Sequence, residues 1–270
     1  ISPRDVARKS QTASQFGQRQ RARTLTLTVS RKEKAMLNTT FVHIGLPIAL
    51  VIAPLSATAD DLTQDAGSWA QVIAEGSLGV IDPSLAKGRL WLEGQSRWDG
   101  DWQHWYQGIA RVALGYSLSE RATIWMGYTF VPTQNIGKPY VGQQDMWPGF
   151  RYVLPTDFGT FIFRTMWETN FITSNSIRER PRQMIRFTHP LAAEPRLSMV
   201  LWDEFFVRAT TTPAGGKAGF DQNRAFAGLG WTFNPNFRTE LGYLNQYIEN
   251  ATFTSETMHH LIMGSLFINF

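Results

Sequence analysis

From about residue 68 onward the chain alternates, with apolar and polar side chains changing places at nearly every step over long segments. Alternation of period two gives an extended strand two unlike faces, and the apolar face must meet something apolar. Segments of this kind stand at roughly 68–79, 88–98, 104–117, 121–132, 146–154, 158–171, 180–190, 196–208, 220–232, 236–248 and 257–270. Most are roughly 11–14 residues long, whereas strands of soluble proteins average about 5–6 and a tilted membrane strand needs about 9–11. No run of about 18 consecutive apolar residues follows residue 60, so no spanning helix is expected there. The pattern predicts an all-β fold, a transmembrane antiparallel up-and-down β-barrel over 68–270.

The connections support that expectation. Working back from the end, tight turns at 234–236, 192–195 and 155–158 alternate with longer stretches at 249–256, 209–218 and 133–145, the last being the longest. Short turns at one rim and longer loops at the other are the layout of an outer-membrane barrel, with the short turns in the periplasm. Such a barrel keeps both termini in the periplasm, so its strand number is expected to be even, 10 or 12. Either 68–79 is not a full wall strand or one strand near the start escapes notice. Residues 60–67 are then a periplasmic lead-in.

The two faces differ in chemistry. Glu93, Gln95 and Arg97 oppose Leu90 and Leu92; Arg164 and Glu168 oppose Phe161, Phe163 and Trp167. Glu204 and Arg208 oppose Met199, Leu201, Phe205 and Val207, while Arg238, Glu240 and Gln246 oppose Phe237, Leu241 and Tyr243. Arg111, Arg151, Arg182, Arg186 and Arg224 also sit mid-strand on the more polar face. An Arg facing mid-bilayer lipid costs roughly 2–4 kcal/mol, so these side chains are expected to line the lumen. There Arg and Glu from neighbouring strands can pair, either as filling or as a solute-selective lining. Trp69, Trp98, Trp102, Trp105, Tyr128, Trp147, Tyr152, Trp231, Phe233 and Phe237 lie near strand ends, as interfacial aromatic girdles do.

The sequence pI of about 9.5 points to nucleic acid until the charges are located. Residues 1–59 hold nine of the 26 basic residues with only Asp5 and Glu33 as acids, which leaves a net charge of −3 on 60–270. The basicity belongs to a leader. Residues 1–35 read as disordered or as sequence upstream of the true start, and 36–59 as a signal peptide. The apolar run from about Phe41 to Leu55 ends in Ser56-Ala57-Thr58-Ala59, which predicts cleavage after Ala59. At Phe270 the chain stops on a strand whose alternate residues Ile262, Gly264, Leu266, Ile268 and Phe270 form one apolar face. Outer-membrane barrels resemble this closely, and Ile268 and Phe270 are the expected barrel-assembly signal.

Several spaced pieces then carry a family resemblance. They are Trp69, GRLWLEGQSR at 88–97, Leu114-Gly115-Tyr116, Met126-Gly127-Tyr128, FRTMWETNF at 163–171, WDEFF at 202–206, QNRAFAGLGW at 222–231 and ELGYLNQY at 240–247. In that order and spacing the chain, over about 67–270, resembles the envelope family called domain of unknown function 2490. The resemblance implies an outer-membrane barrel of Gram-negative bacteria and no mechanism, and it gives the loop at 133–145 no role.

Chemistry was sought and little is expected. With no cysteine, disulfides, thiolate metal sites and a cysteine nucleophile are excluded. HExxH, Asp-rich calcium loops and the P-loop are absent, so no cofactor and no metal are expected, and Gly215-Gly216 is a loop tip. His259 and His260 are consecutive on a strand and so face opposite ways, one toward a lumen carboxylate such as Glu240. Ser265 lies roughly 20 Å from His259 along the strand, too far for a catalytic pair. The expected partners are outer-membrane lipid and the barrel-assembly machinery, with a small solute open and no nucleic acid. The expectation is a non-enzymatic barrel, porin-like and narrow or closed. The alternatives are an outer-membrane lipid or peptide hydrolase and a soluble periplasmic β-barrel binder.

Overall fold

The structure, a computed structural model, describes residues 62–135, 137–173 and 176–270. The leader and its cleavage site lie outside the described residues. Every alternating segment forms a strand: β1 Leu62–Ser77, β2 Gly88–Asp99, β3 His104–Ser117, β4 Ala122–Thr133, β5 Val141–Thr156, β6 Gly159–Thr173, β7 Ser176–Leu191, β8 Glu194–Arg208, β9 Gly219–Asn234, β10 Phe237–Glu249 and β11 Glu256–Asn269. Each pairs antiparallel with the next, and β1 pairs with β11 to close a barrel. No helix among the described residues is long and apolar enough to cross a membrane.

The expectation of an even strand number is overturned. Eleven strands close because β1 and β11 pair in parallel, in register from Leu62 opposite Glu256 to Glu75 opposite Asn269. An up-and-down chain of odd strand number has no other way to close, since its first and last strands run in the same direction. β1 is a full wall strand that begins at Leu62, so residues 62–67 are wall rather than a separate lead-in. Leu62 and Asn269 consequently stand at opposite rims.

The connections divide between these rims. At the Asn269 rim lie 78–87, 118–121, 157–158, 192–193 and 235–236; at the Leu62 rim lie 100–103, the described residues of 134–140, 209–218 and 250–255. The loop expected at 133–145 shrinks to 134–140, because the polar run Gly142–Asp145 pairs with Thr129–Pro132 and belongs to β5. The Asn269 rim also carries one long connection, 78–87, built of two 3-10 turns. In the second of them Asp82 accepts the Ser84 amide at 2.8 Å, which holds its carboxyl below the usual range. Within the wall the β5–β6 register skips Trp147 and Pro148, where proline has no N–H to give the ladder.

The alternation sorts side chains to the two faces of the wall. Outward, every strand exposes at least one large apolar residue, among them Val72, Leu92, Val112, Ile124, Met146, Trp167, Ile185, Phe205, Leu229, Leu241 and Ile262. Inward lie two apolar clusters, Trp69 with Val200, Phe226, Leu244, Leu261 and Met263, and Trp91 with Ala113, Trp125, Trp147 and Met166. Trp91 meets Trp125 and Trp147 edge to face, with centroids 5.5 and 5.7 Å apart. Gly127 makes room for this packing, since a Cβ there would stand 2.1 Å from the Trp147 ring. Trp69 and Trp147 are therefore interior residues and not part of a girdle. Their phase along the strand is that of Gln71 and Asp145, not that of the outward face. Of the other expected girdle residues, Trp102, Trp105, Tyr128, Phe233 and Phe237 are exposed; Trp98, Tyr152 and Trp231 are half-buried.

Candidate functional site in the barrel interior

Charged side chains cross the interior in tiers. Nearest the Asn269 rim, Glu75 of β1 accepts from Arg89 at 2.9 Å and from Arg151 at 2.6 Å. Arg151 belongs to β5, so this pair is a chord through the lumen rather than a neighbour contact. On the same tier Glu240 takes Arg186 and, at 3.0 Å, Arg238, which also donates to the Ser198 hydroxyl at 3.1 Å.

The middle tier holds two carboxylates. Arg111 donates from one nitrogen to both oxygens of Glu93 at 2.7 Å and from Nε to Thr129 at 3.0 Å. Thr129 also accepts the Trp147 indole N–H at 2.9 Å, which fixes the ring that caps the pair. Glu204 receives Arg182 through two bonds, at 2.9 and 3.0 Å, and Arg164 at 3.0 Å. Gln95 accepts Arg97 at 2.6 Å, and Arg97 lies over the Trp69 ring at 3.8 Å.

Toward the Leu62 rim the ion pairs continue across the interior. Glu168, 1% exposed, joins Arg182 at 2.7 Å to Arg180 at 2.6 Å; Arg180 reaches Asp221, and Asp221 accepts Arg208 at 3.0 Å. Arg208 spends its remaining N–H groups on the carbonyls of Lys217, Phe220, Glu249 and Asn250, tying the loops at 209–218 and 250–255 to the wall. Gln246 donates to Gln222 at 2.6 Å, and Asn170 accepts Arg178 at 2.8 Å. At the Leu62 rim, His259 lies 3.5 Å from Asp65 and His104 3.0 Å from Asp99.

All fifteen residues read from the sequence as lumen-facing point inward in this arrangement. Arg97, Arg111, Glu93, Glu168, Arg182, Arg186, Glu204, Arg208, Arg224, Glu240 and Gln246 are buried; Gln95, Arg151, Arg164 and Arg238 are half-buried. Sequence reasoning missed Glu75, Asp145, Asn170, Arg178, Arg180 and Asp221. Counting by twos from Trp69 reaches Glu75, and from Arg182 reaches Arg180 and Arg178. Asp145 was hidden in the supposed loop. The suggested His259–Glu240 pair does not form, because Glu240 stands opposite Ser265 and His259 opposite Gln246. His260 faces outward and shares a 2.6 Å hydrogen bond with the Tyr243 hydroxyl. Ile268 lies on the last turn of ladder, and Phe270 exchanges backbone hydrogen bonds with Glu75 and Ser77 of β1.

The profile of a family described as a protein of unknown function (DUF2490) matches residues 66–257. The chain belongs to this family. The DUF2490 match begins inside β1, covers β2 to β10 and ends at the second residue of β11. A protein of Methylorubrum extorquens, itself described as uncharacterised, is 25% identical over 226 residues, 83% of this chain and 95% of that protein. No solved structure matches the DUF2490 barrel.

Proposed function

We propose that this DUF2490 protein is an exported outer-membrane β-barrel that spans the bilayer as a narrow, non-enzymatic, largely filled cylinder. The observation that carries the reading is the polarity of the wall. Large apolar side chains are exposed outward on all eleven strands, while most mid-strand arginines and glutamates, Arg111, Arg182, Glu93, Glu168 and Glu204 among them, are buried inward. Monomeric soluble proteins rarely expose contiguous apolar patches beyond a few hundred Å². A wall that exposes large apolar side chains on every strand is suited to lipid, and a closed barrel leaves no unpaired edge for the bilayer to disfavour. The leader, with cleavage after Ala59, is the matching export signal, and the Asn269 rim with its tight turns is the periplasmic side.

The buried ion pairs of Glu168, Arg180, Asp221 and Arg208 cross the interior toward the Leu62 rim and support reading the barrel as closed rather than as a general porin. The test is heat-modifiability of the chain purified from membranes in detergent. An unboiled band migrating ahead of the boiled one, with β-type circular dichroism and little or no conductance in a planar bilayer, is expected. Recovery in the soluble fraction without detergent would overturn the membrane reading, and a large steady conductance would overturn the closed interior.

A further inference from the structure

We propose that the interior cavity next to Trp69 is a binding site for a small, water-soluble, multivalent anion bearing phosphate or carboxylate groups, admitted from the Asn269 rim. The inference uses only the interior of the barrel and stands whether or not the outer face meets lipid.

The cavity measures about 280 Å³. Its lining holds eight arginines against four glutamates and no other charged residue, an excess of four positive charges. The glutamates are already committed. Glu75 serves Arg89 and Arg151, Glu93 serves Arg111, Glu204 serves Arg164 and Arg182, and Glu240 serves Arg186 and Arg238. Arg97 and Arg224 make no direct ion pair among the described residues, and Glu204, opposite Arg224 in the β8–β9 ladder, spends its hydrogen bonds on Arg164 and Arg182. Arg97 is met by the side-chain carbonyls of Gln95 and Gln107. Among the described residues Arg224 makes no hydrogen bond; it is nine-tenths buried and its Nε has no partner.

What holds Arg224 is aromatic. Its guanidinium lies 5.0 Å from the Trp69 ring centre and 4.6 Å from that of Phe206, and Arg97 lies over the same Trp69 ring. Aromatic faces attract a cation but accept little from its N–H groups, so the donor fork stays free. A buried cation without a counter-charge is strongly disfavoured. The unpartnered guanidinium of Arg224, beside the amide-bound Arg97 on the same indole, supplies the planar donor pair that phosphate and carboxylate accept in bidentate fashion.

Access is graded. Arg238 and Arg151 near the Asn269 rim are more exposed than Arg182 and Arg111 deeper in, and the Glu168 carboxylate beyond them is 1% exposed. The wall is a continuous ring of paired strands, so a lipid has no lateral way in, and the ligand comes from solution.

The test uses the full chain purified in mild detergent, titrated at constant ionic strength with inorganic phosphate and with citrate. Readouts are tryptophan fluorescence and the thermal midpoint. Saturable quenching and a raised midpoint are expected with at least one probe, and neither with matched sodium chloride or glucose. Arg224→Met should weaken that response at least tenfold while its anion-free midpoint stays at or above that of the parent. An absent response of the parent chain to both anions would overturn the proposal, as would an unchanged affinity in Arg224→Met. Should that variant not fold, the titration of the parent chain decides alone.

Discussion

Replacing Arg111 by Met removes the ion-pair partner of Glu93 and leaves that carboxylate with the Gln95 amide alone. Both side chains are almost wholly buried, at 4% and 2% exposure, so water cannot rescue the carboxylate where it stands. Breaking a buried pair by removing one partner typically costs about 3–5 kcal/mol. Against a usual stability of about 5–15 kcal/mol, that is about a fifth of the total or more. Glu93→Met should cost a similar amount, because Arg111 keeps only the Thr129 hydroxyl and the faces of Trp91 and Trp147. The double variant Glu93→Met/Arg111→Met places two apolar side chains of fitting size against the Trp91–Trp125–Trp147 cluster. Such replacements are often neutral, or stabilising by about 1–4 kcal/mol. The single costs should therefore not add, and the coupling energy should exceed about 3 kcal/mol, at the top of the range for residues in contact.

Urea unfolding in detergent micelles, followed by tryptophan fluorescence, measures all four corners of this cycle. The reasoning is refuted if either single variant stays within about 1 kcal/mol of the parent, since an exposed, screened pair is worth that little. It is refuted equally if the double variant is as unstable as the sum of the singles. Either result would mean that water fills the middle tier, and the closed interior would give way to a hydrated pore.

Gly127→Ala should cost about 1–3 kcal/mol by forcing the Trp147 ring aside, read as a lower urea midpoint with an unchanged slope. Asp203 faces outward with both oxygens on the Asn223 amide, at 3.0 and 3.1 Å. If that face meets lipid, Asp203→Leu should raise the thermal midpoint in micelles; a fall would place the position in water. Deleting Phe270 removes its backbone hydrogen bonds to Glu75 and Ser77 and should weaken the β1–β11 seam, seen as faster amide exchange at residues 74–77 than in the parent.

Most of the wall was legible because a strand's period is two and does not drift. One charged residue placed inward fixes the face of every other residue in that strand, so Glu93 carries Gln95 and Arg97, and Glu240 carries Arg238 and Gln246. Strand ends were less legible, because these strands of 12–16 residues extend past their apolar alternation into polar sequence. Gly142–Asp145 reads as a loop by composition and is wall by pairing. The partners of the interior charges were not legible at all. Glu75 and Arg151 are 76 positions apart and meet only because the barrel folds β1 across from β5. Trp69 and Trp147 show the converse limit, since a tryptophan near a strand end suits an interface or a core and only phase decides between them.

The parity of the barrel has a consequence for sidedness. With an even number, the start of β1 and the end of β11 share a rim; with eleven, Leu62 shares its rim with Glu256 and with the loops at 209–218 and 250–255. If the barrel spans a membrane, Thr63 and Thr252 face one side and Asn236 faces the other. The sequence contains no cysteine, so single replacements Thr63→Cys, Thr252→Cys and Asn236→Cys each offer one thiol for an impermeant maleimide. In intact cells Thr63→Cys and Thr252→Cys should label together, and Asn236→Cys only after permeabilisation. Labelling of Thr63→Cys with the Asn236→Cys pattern would require β1 to leave the wall or a further strand to enter it. The parallel β1–β11 seam would then be wrong, while the ten antiparallel ladders would stand unaltered.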